Sequence, residues 1–332
     1  MTLQSSLPAL ASGHIRDRHQ TDMETVLAAA SHNAVGLPAE SPGQTTASQQ
    51  PPEPKALSTR VEIIPSEGIV DAVCRALPAS STITVTCLPH HGLARTMATA
   101  VELAGLGYTV IPHIAATALS DRSHLLGILR RCQTSGITDI FAIGGDAAQS
   151  AGPYASALPL MEDISQFTNG GMALGIAGYP EGHPSVGGID LLDALLAKQH
   201  LATHVVTQMC FSAPKILEYA ALLRREGVEL PVWAGIAGAV PKARLVSLAT
   251  KIGVGTSLKF LSRKGPLARR LLAGGRYSPD VLVSELAEHP GQVSGFHLYS
   301  FNNLLSAPDV PDGLQVPTCT DPISLQGANR DN

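Results

Sequence analysis

Between Tyr179 and Pro184 the chain reads YPEGHP, which puts a phenol, a carboxyl group and an imidazole almost side by side. The two prolines and the glycine forbid a helix or a continuing strand, so Tyr179, Glu181 and His183 sit on a turn that the apolar run MALGIA leads into. Other groups with usable chemistry are spread along the chain. Glu62 lies between Val61 and Ile63, and a carboxyl group inside an apolar strand is costly to bury unless it is paired or keeps its proton. A carboxyl group that keeps its proton is a general acid. Gln208 brings a side-chain amide that both donates and accepts. Thr86, His113 and the run Gly144-Gly145-Asp146 add a hydroxyl, an imidazole and a carboxylate on a flexible turn. Each has a plain structural alternative. Glu62 could pair with Arg60 on its own strand face, and His113 could be a satisfied core histidine. Asp146 could be a turn or helix cap. Gln208 could bond inside the core, and His183 could simply be exposed.

What separates the two readings is where the elements put these residues. From Thr59 onward, short β-branched runs alternate with amphipathic helical patterns of a dozen or so residues. The predicted strands are 60–65, 81–87, 109–115, 139–145, 172–179, 204–211, 231–238 and 294–301. HGLARTMATAVELAGLG, RSHLLGILRRCQTSG and APKILEYAALLRREG are predicted helices, each ending in a glycine. Eight βα units predict an α/β fold of the (β/α)8, or TIM-barrel, type, with extra helices in an oversized connection before the last strand. An open doubly wound sheet is the alternative, but no GxGxxG follows the first strand. In such a barrel the C-terminal strand ends carry the chemistry. Glu62, Thr86, His113, Asp146, Tyr179, His183 and Gln208 all fall there, as do His297, Tyr299 and Asn302 on the last strand. Their shared position favours a site.

Three segments are expected: an extension over 1–58, a barrel over 59–306 and a tail over 307–332. Residues 38–58 are Pro-, Ser-, Thr- and Gln-rich and predict a disordered linker, preceded by one short helix within 21–36. The 332 residues are 44% hydrophobic and 15% charged, with a net charge of -4, so no basic surface for nucleic acid is indicated. No apolar run reaches the roughly 18 residues of a membrane span. Five scattered cysteines without CxxC spacing, and a start without a secretory pattern, predict reduced thiols in the cytoplasm, with neither disulfides nor a metal site. The densest basic cluster is Lys259, Arg263, Lys264, Arg269 and Arg270, in the connection over 254–290. It either covers the mouth and attracts anionic groups or is a solvated helix face.

In order and spacing, VEIIP, IPHIAA, AIGGD, AGYPEGHP, VTQMCF and FHLYSFN resemble the catalytic domain of the methylenetetrahydrofolate reductase family over roughly residues 59–306. The resemblance implies FAD across the barrel mouth. NADH or NADPH would give hydride to the flavin and leave, and methylenetetrahydrofolate would then accept it. Carried over by position, Glu62 is the general acid that opens the methylene-bridged ring, and Asp146 lies near flavin and folate. Thr86, His113, Gly145, Tyr179, His183 and Lys198 fall at or beside cofactor-binding positions, and Gln208 and Phe211 at folate-binding ones. The implied partner is a folate small molecule, with no nucleic acid or membrane, and homo-oligomer formation stays open. The same chemistry run as oxidation of 5-methyltetrahydrofolate, and a non-catalytic folate- or flavin-binding subunit, are the alternatives.

The sequence departs from the family pattern where cations are usual. Gly144 replaces an Arg before the Gly-Asp pair, and Ala197 replaces a Lys, with Lys198 one place away. After Gln208 the usual FFFD is MCFS, which keeps Phe211 and puts Ser212 in place of the acid. The PGI of strand seven is AGI, starting at Ala234.

Overall fold

The computed structural model describes residues 57–145, 152–183, 186–239 and 277–304. Asp146, the extension before residue 57, the basic cluster 259–270 and the tail from 305 lie outside the described residues. Eight parallel strands close in sequential order: β1 (Ser58–Ile63), β2 (Thr82–Val85), β3 (Thr109–Ala115), β4 (Asp139–Ile143), β5 (Ala173–Gly178), β6 (His204–Thr207), β7 (Val232–Ala237) and β8 (Gly295–Tyr299). Between them run α1 (Ile69–Ala76), α2 (Gly92–Gly105), α3 (Arg122–Thr134), α4 (Ala157–Thr168), α5 (Gly188–Lys198), α6 (Ala213–Arg225) and α7 (Asp280–Ala287). The predicted barrel is the observed one. Only α7 of the helices expected before the last strand falls among the described residues. No described helix is long and apolar enough to cross a membrane.

Strand β1 begins two residues before its predicted start. Its partner decides this, since Ser58 pairs with Gly295 and Thr59 with Phe296 on β8, where the barrel closes. Gly136 and Gly227, both at positive φ, end α3 and α6 as their positions in the sequence predict.

Alternation along each strand divides the buried side chains into two sets. Val61, Ile63, Ile83, Ile114, Ile140, Ile176, Ile236 and Leu298 pack outward against the helices in the main core. A separate cluster of Ile111, Phe141 and Val206, with Ile143, Ala177 and Trp233 against it, fills the barrel interior. Arg60 and Glu62 alternate with Val61 and Ile63, so both point inward. One layer towards the strand N-termini from this plug, the Arg60 guanidinium stacks 3.7 Å from the centroid of the Trp233 ring. Asp139 and His204 share that layer, 4.0 Å apart. Such large groups fit only beside small ones. A Cβ on Gly175 would meet His204 Nε2 at 2.5 Å, and one on Gly295 would meet the Trp233 ring at 2.5 Å.

These interior groups titrate in opposite senses. Burial pushes the imidazoles of His113 and His204 down to about 4 and about 3, and raises Asp139 to about 6. Both histidines are protonated more readily in the unfolded chain, so each removes stability as pH falls below 6.5. Asp139 binds its proton more tightly when folded, so it adds stability as pH falls through about 6. Two histidines outweigh one aspartate. We expect thermal stability to fall, by on the order of a few kcal/mol, between pH 6.5 and pH 4, with a shallower slope in His204→Gln. Melting curves that rise on acidification would show that Asp139 dominates instead.

Candidate active site

One layer towards the strand C-termini from the plug, Glu62 meets two imidazoles. Its Oε2 lies 2.9 Å from His297 Nε2 and 3.7 Å from His113 Nε2. Both histidines are buried. Phe141 packs against His113 with ring centroids 4.8 Å apart, and Tyr299 against His297 at 4.9 Å. The ligand atoms of Glu62, His113 and His297 all lie within 4.8 Å of one another, a spacing a metal ion could bridge. The closest pair, however, is already at hydrogen-bond distance, so a shared proton accounts for it.

The turn after β8 holds Glu62 in place. Ser300 donates from its hydroxyl and its backbone N–H to the carbonyl of Glu62. Asn302 Oδ1 accepts from Ile64 N at 2.7 Å, while its Nδ2 donates to Ile64 O and Ser66 Oγ, both at 3.0 Å. Asn302 does this from the left-handed region, at φ 63°, where its short polar side chain is tolerated.

Across the mouth, Tyr299 reaches from β8 over β7 to β6. Its hydroxyl donates to Thr207 O at 3.1 Å, and burial raises its pKa well above the usual phenol value, so it stays a donor. It passes over Gly235, where a Cβ would sit 2.9 Å from the Tyr299 ring and 2.2 Å from Thr207 O. Gly235 N donates to Thr207 Oγ1 and Gln208 N to Gly178 O. Gln208 thus leaves β6 from a backbone anchored on three neighbours. At the end of β5, Gly182 N closes a turn onto Tyr179 O, and the rings of Tyr179 and His183 meet edge to face at 5.5 Å.

On the opposite rim, between the ends of β2, β3 and β4, a cavity of about 220 Å³ is lined by Cys87, Leu88, Ala115, Thr117, Ile143 and Gly145. Gly145, at φ 93°, has Thr117 Oγ1 where a Cβ would lie. Thr86 and His113 lie on the same strand ends, and Thr86 Oγ1 and His113 Nε2 are buried with no hydrogen-bond partner among the described residues.

The structure therefore brings Glu62, His113, Thr86, Gly145, Tyr179, His183 and Gln208 to one end of the barrel. It does not bring Lys198 there. That residue is in the last turn of α5, about 15 Å along the helix from the strand ends, and burial lowers its pKa. Phe211 is buried edge to face on Tyr277, with centroids 5.4 Å apart. His297, Tyr299, Ser300 and Asn302 do more to build the site than the sequence indicated. Their signal was the polar alternation His297/Tyr299 on a buried strand, running on into a polar turn.

A family model described as methylenetetrahydrofolate reductase matches residues 70–312. The chain belongs to this family. It is 25% identical over 219 residues to methylenetetrahydrofolate reductase 2 of Saccharomyces cerevisiae, covering 59% of this chain and 35% of that protein. It is 28% identical over 134 residues to methylenetetrahydrofolate reductase 1 of Schizosaccharomyces pombe, covering 37% and 22%. The chain thus spans about a third or less of these curated relatives. Among solved structures, 2,3-dimethylmalate lyase, of the PEP mutase/isocitrate lyase superfamily, matches at a TM-score of 0.47 and 8% identity, covering 76% of this chain and 78% of that one.

In this reductase-family barrel the Asn302 clamp can be tested apart from any chemistry. Asn302→Gly keeps the left-handed backbone available and removes only the side-chain bonds. We expect a loss of about 2–3 kcal/mol and a melting temperature lower by roughly 4–12 °C. An unchanged transition would show that the clamp does not hold the end of β1.

Proposed function

We propose that the barrel is a flavin-dependent oxidoreductase that interconverts 5,10-methylenetetrahydrofolate and 5-methyltetrahydrofolate, with NADH or NADPH as the hydride source. The observation that carries this reading is the half-buried Glu62 carboxyl group at the mouth, with one oxygen engaged by an imidazole from the interior. A protein that only bound folate would have no use for such an acid.

The mouth fits the polar edge of a flavin ring. Thr86 Oγ1 is buried with no hydrogen-bond partner among the described residues, and the cavity lined by Cys87, Thr117 and Gly145 opens at the same strand ends. Burial keeps His113 neutral at physiological pH, able to donate from one nitrogen and accept at the other. The fit is poorer for a diphosphate, because glycine stands at 144. FAD, when bound, supplies the two-electron carriage between nicotinamide and folate.

The protein's own groups supply position and a proton. Opening the bridged ring leaves an electrophilic iminium only if the departing nitrogen is protonated, and Glu62 is the donor. The Gln208 amide matches a pterin edge, which needs donor and acceptor together. Tyr179 and His183, stiffened by Pro180, form the cofactor rim.

Two measurements test this. Protein with bound FAD should bleach on addition of NADH or NADPH and regain colour with methylenetetrahydrofolate. Glu62→Gln should lose the second step by at least about 100-fold and keep the first, since the proton is needed only by folate. Stopped-flow traces in which both steps fell together would make Glu62 structural. The cofactor should also be held loosely, because Gly144 leaves the strand-four end without the cation of the family pattern. Exhaustive dialysis should leave well under one FAD per chain; full retention would refute this.

A further inference from the structure

The contact between His297 and Glu62 determines which carboxyl oxygen works. At 2.9 Å, Nε2 and Oε2 cannot both present lone pairs, so a proton lies between them. The other ring nitrogen shows on which atom it resides. His297 Nδ1 is buried and has no hydrogen-bond partner among the described residues. With the ring proton on Nδ1, an N–H donor would be buried without an acceptor. With it on Nε2, only an acceptor lone pair goes unmet, which costs less. His297 therefore donates Nε2–H to Oε2.

The strand register sets the direction of that bond. Glu62 pairs with Tyr299, and Arg60 with His297, so the imidazole rises from the layer beneath the carboxyl group. Tyr299 packs on its ring, Phe141 stands 6.5 Å away, and His297 is 1% exposed. His113 approaches the same oxygen from β3. Oε2 is thus committed to the interior.

We propose that His297 is the positioning residue of the acid, holding Oε2 so that the transferable proton resides on Oε1, facing the mouth. In the transfer, the Oε1–H bond breaks and its electron pair stays on the carboxylate. The departing folate nitrogen gains the proton as its bond to the bridging carbon breaks. The new carboxylate keeps the imidazole bond, which becomes charge-assisted and therefore stronger as negative charge develops. The kinetic half of this inference rests on the folate reading above.

The test uses the full-length protein with His297→Leu and His297→Gln, whose amide N–H can stand where Nε2–H does. His297→Leu should lower kcat for folate about 10- to 100-fold with KM within about twofold, and His297→Gln should recover most of the loss. Thermal unfolding of each variant shows that it is folded. Infrared difference spectra across a pH titration, with Glu62→Gln identifying the carboxyl C=O band, give a readout that needs no turnover. The band should shift in the Leu variant and return in the Gln variant. Wild-type rates in His297→Leu, or a Gln variant no better than Leu when both are folded, would overturn the proposal. If the wild-type protein turns over no folate, the functional reading fails and the infrared band decides alone. A return of the band in His297→Gln supports the positioning role, and one fixed band in all three proteins overturns it.

Discussion

Closing eight parallel strands on themselves sends every second side chain into an interior with little room and little water. In this barrel many of those side chains are polar. Arg60, Asp139 and His204 lie below an apolar plate of Ile111, Phe141 and Val206, Glu62 and Tyr299 lie above it, and His297 and His113 reach up to Glu62 from lower registers. Each large group is admitted by a small one nearby: His204 by Gly175, Trp233 by Gly295 and Tyr299 by Gly235. The constraint acts in both directions. The glycines could not be enlarged without expelling the polar residues, and without those residues the interior would be left with voids.

Closure also makes the site. Glu62 lies near the start of the barrel, and the groups that hold it and the end of its strand, His297, Ser300 and Asn302, come from the last strand and the turn after it, 235 to 240 residues away. The seam between β1 and β8 is therefore both the joint that completes the fold and the support of the acid. A second support runs from β8 through Tyr299 to Thr207, beside Gln208. One strand thus sets the spacing between the proposed proton donor and the amide proposed to read the substrate.

The strand-and-helix alternation made the barrel legible, because apolar runs, glycine-closed helices and strand-end polar residues each have a local cause. The partner of Glu62 was not legible. Arg60 is the same-face neighbour two residues away, and it goes instead to Trp233 and the Asp139 layer. Residues i and i+2 of a strand stand in successive layers, about 6.6 Å apart along it, while a cross-strand neighbour can reach diagonally between layers. Finding His297 requires the β1–β8 register, a long-range fact that local sequence does not carry. Lys198 shows the limit of reasoning by adjacency, since one position along a helix is a turn of about 100° and the last turn of α5 is far from the mouth. Phe211 was legible as an aromatic residue in the right segment, but its packing partner Tyr277 comes from just before α7, inside the oversized connection.

The electrostatics of the interior bear on what Glu62 can do. An acid that must hold a proton and then release it is poorly served by a fixed positive charge at its side, which would keep it ionised. Burial holds His113 neutral, at about 4, so the imidazole 3.7 Å from the carboxyl group adds no cation at physiological pH. Arg60 is a permanent cation on the same strand. It sits one layer below, its charge lies against the Trp233 face, and Asp139, with a pKa of about 6, is ionised at neutral pH to offset it. The lower layer therefore does more than fill space. By compensating Arg60 within itself, it keeps that cation from acting alone on Glu62, and the 2.9 Å contact with His297 is the close polar neighbour left at the carboxyl oxygen.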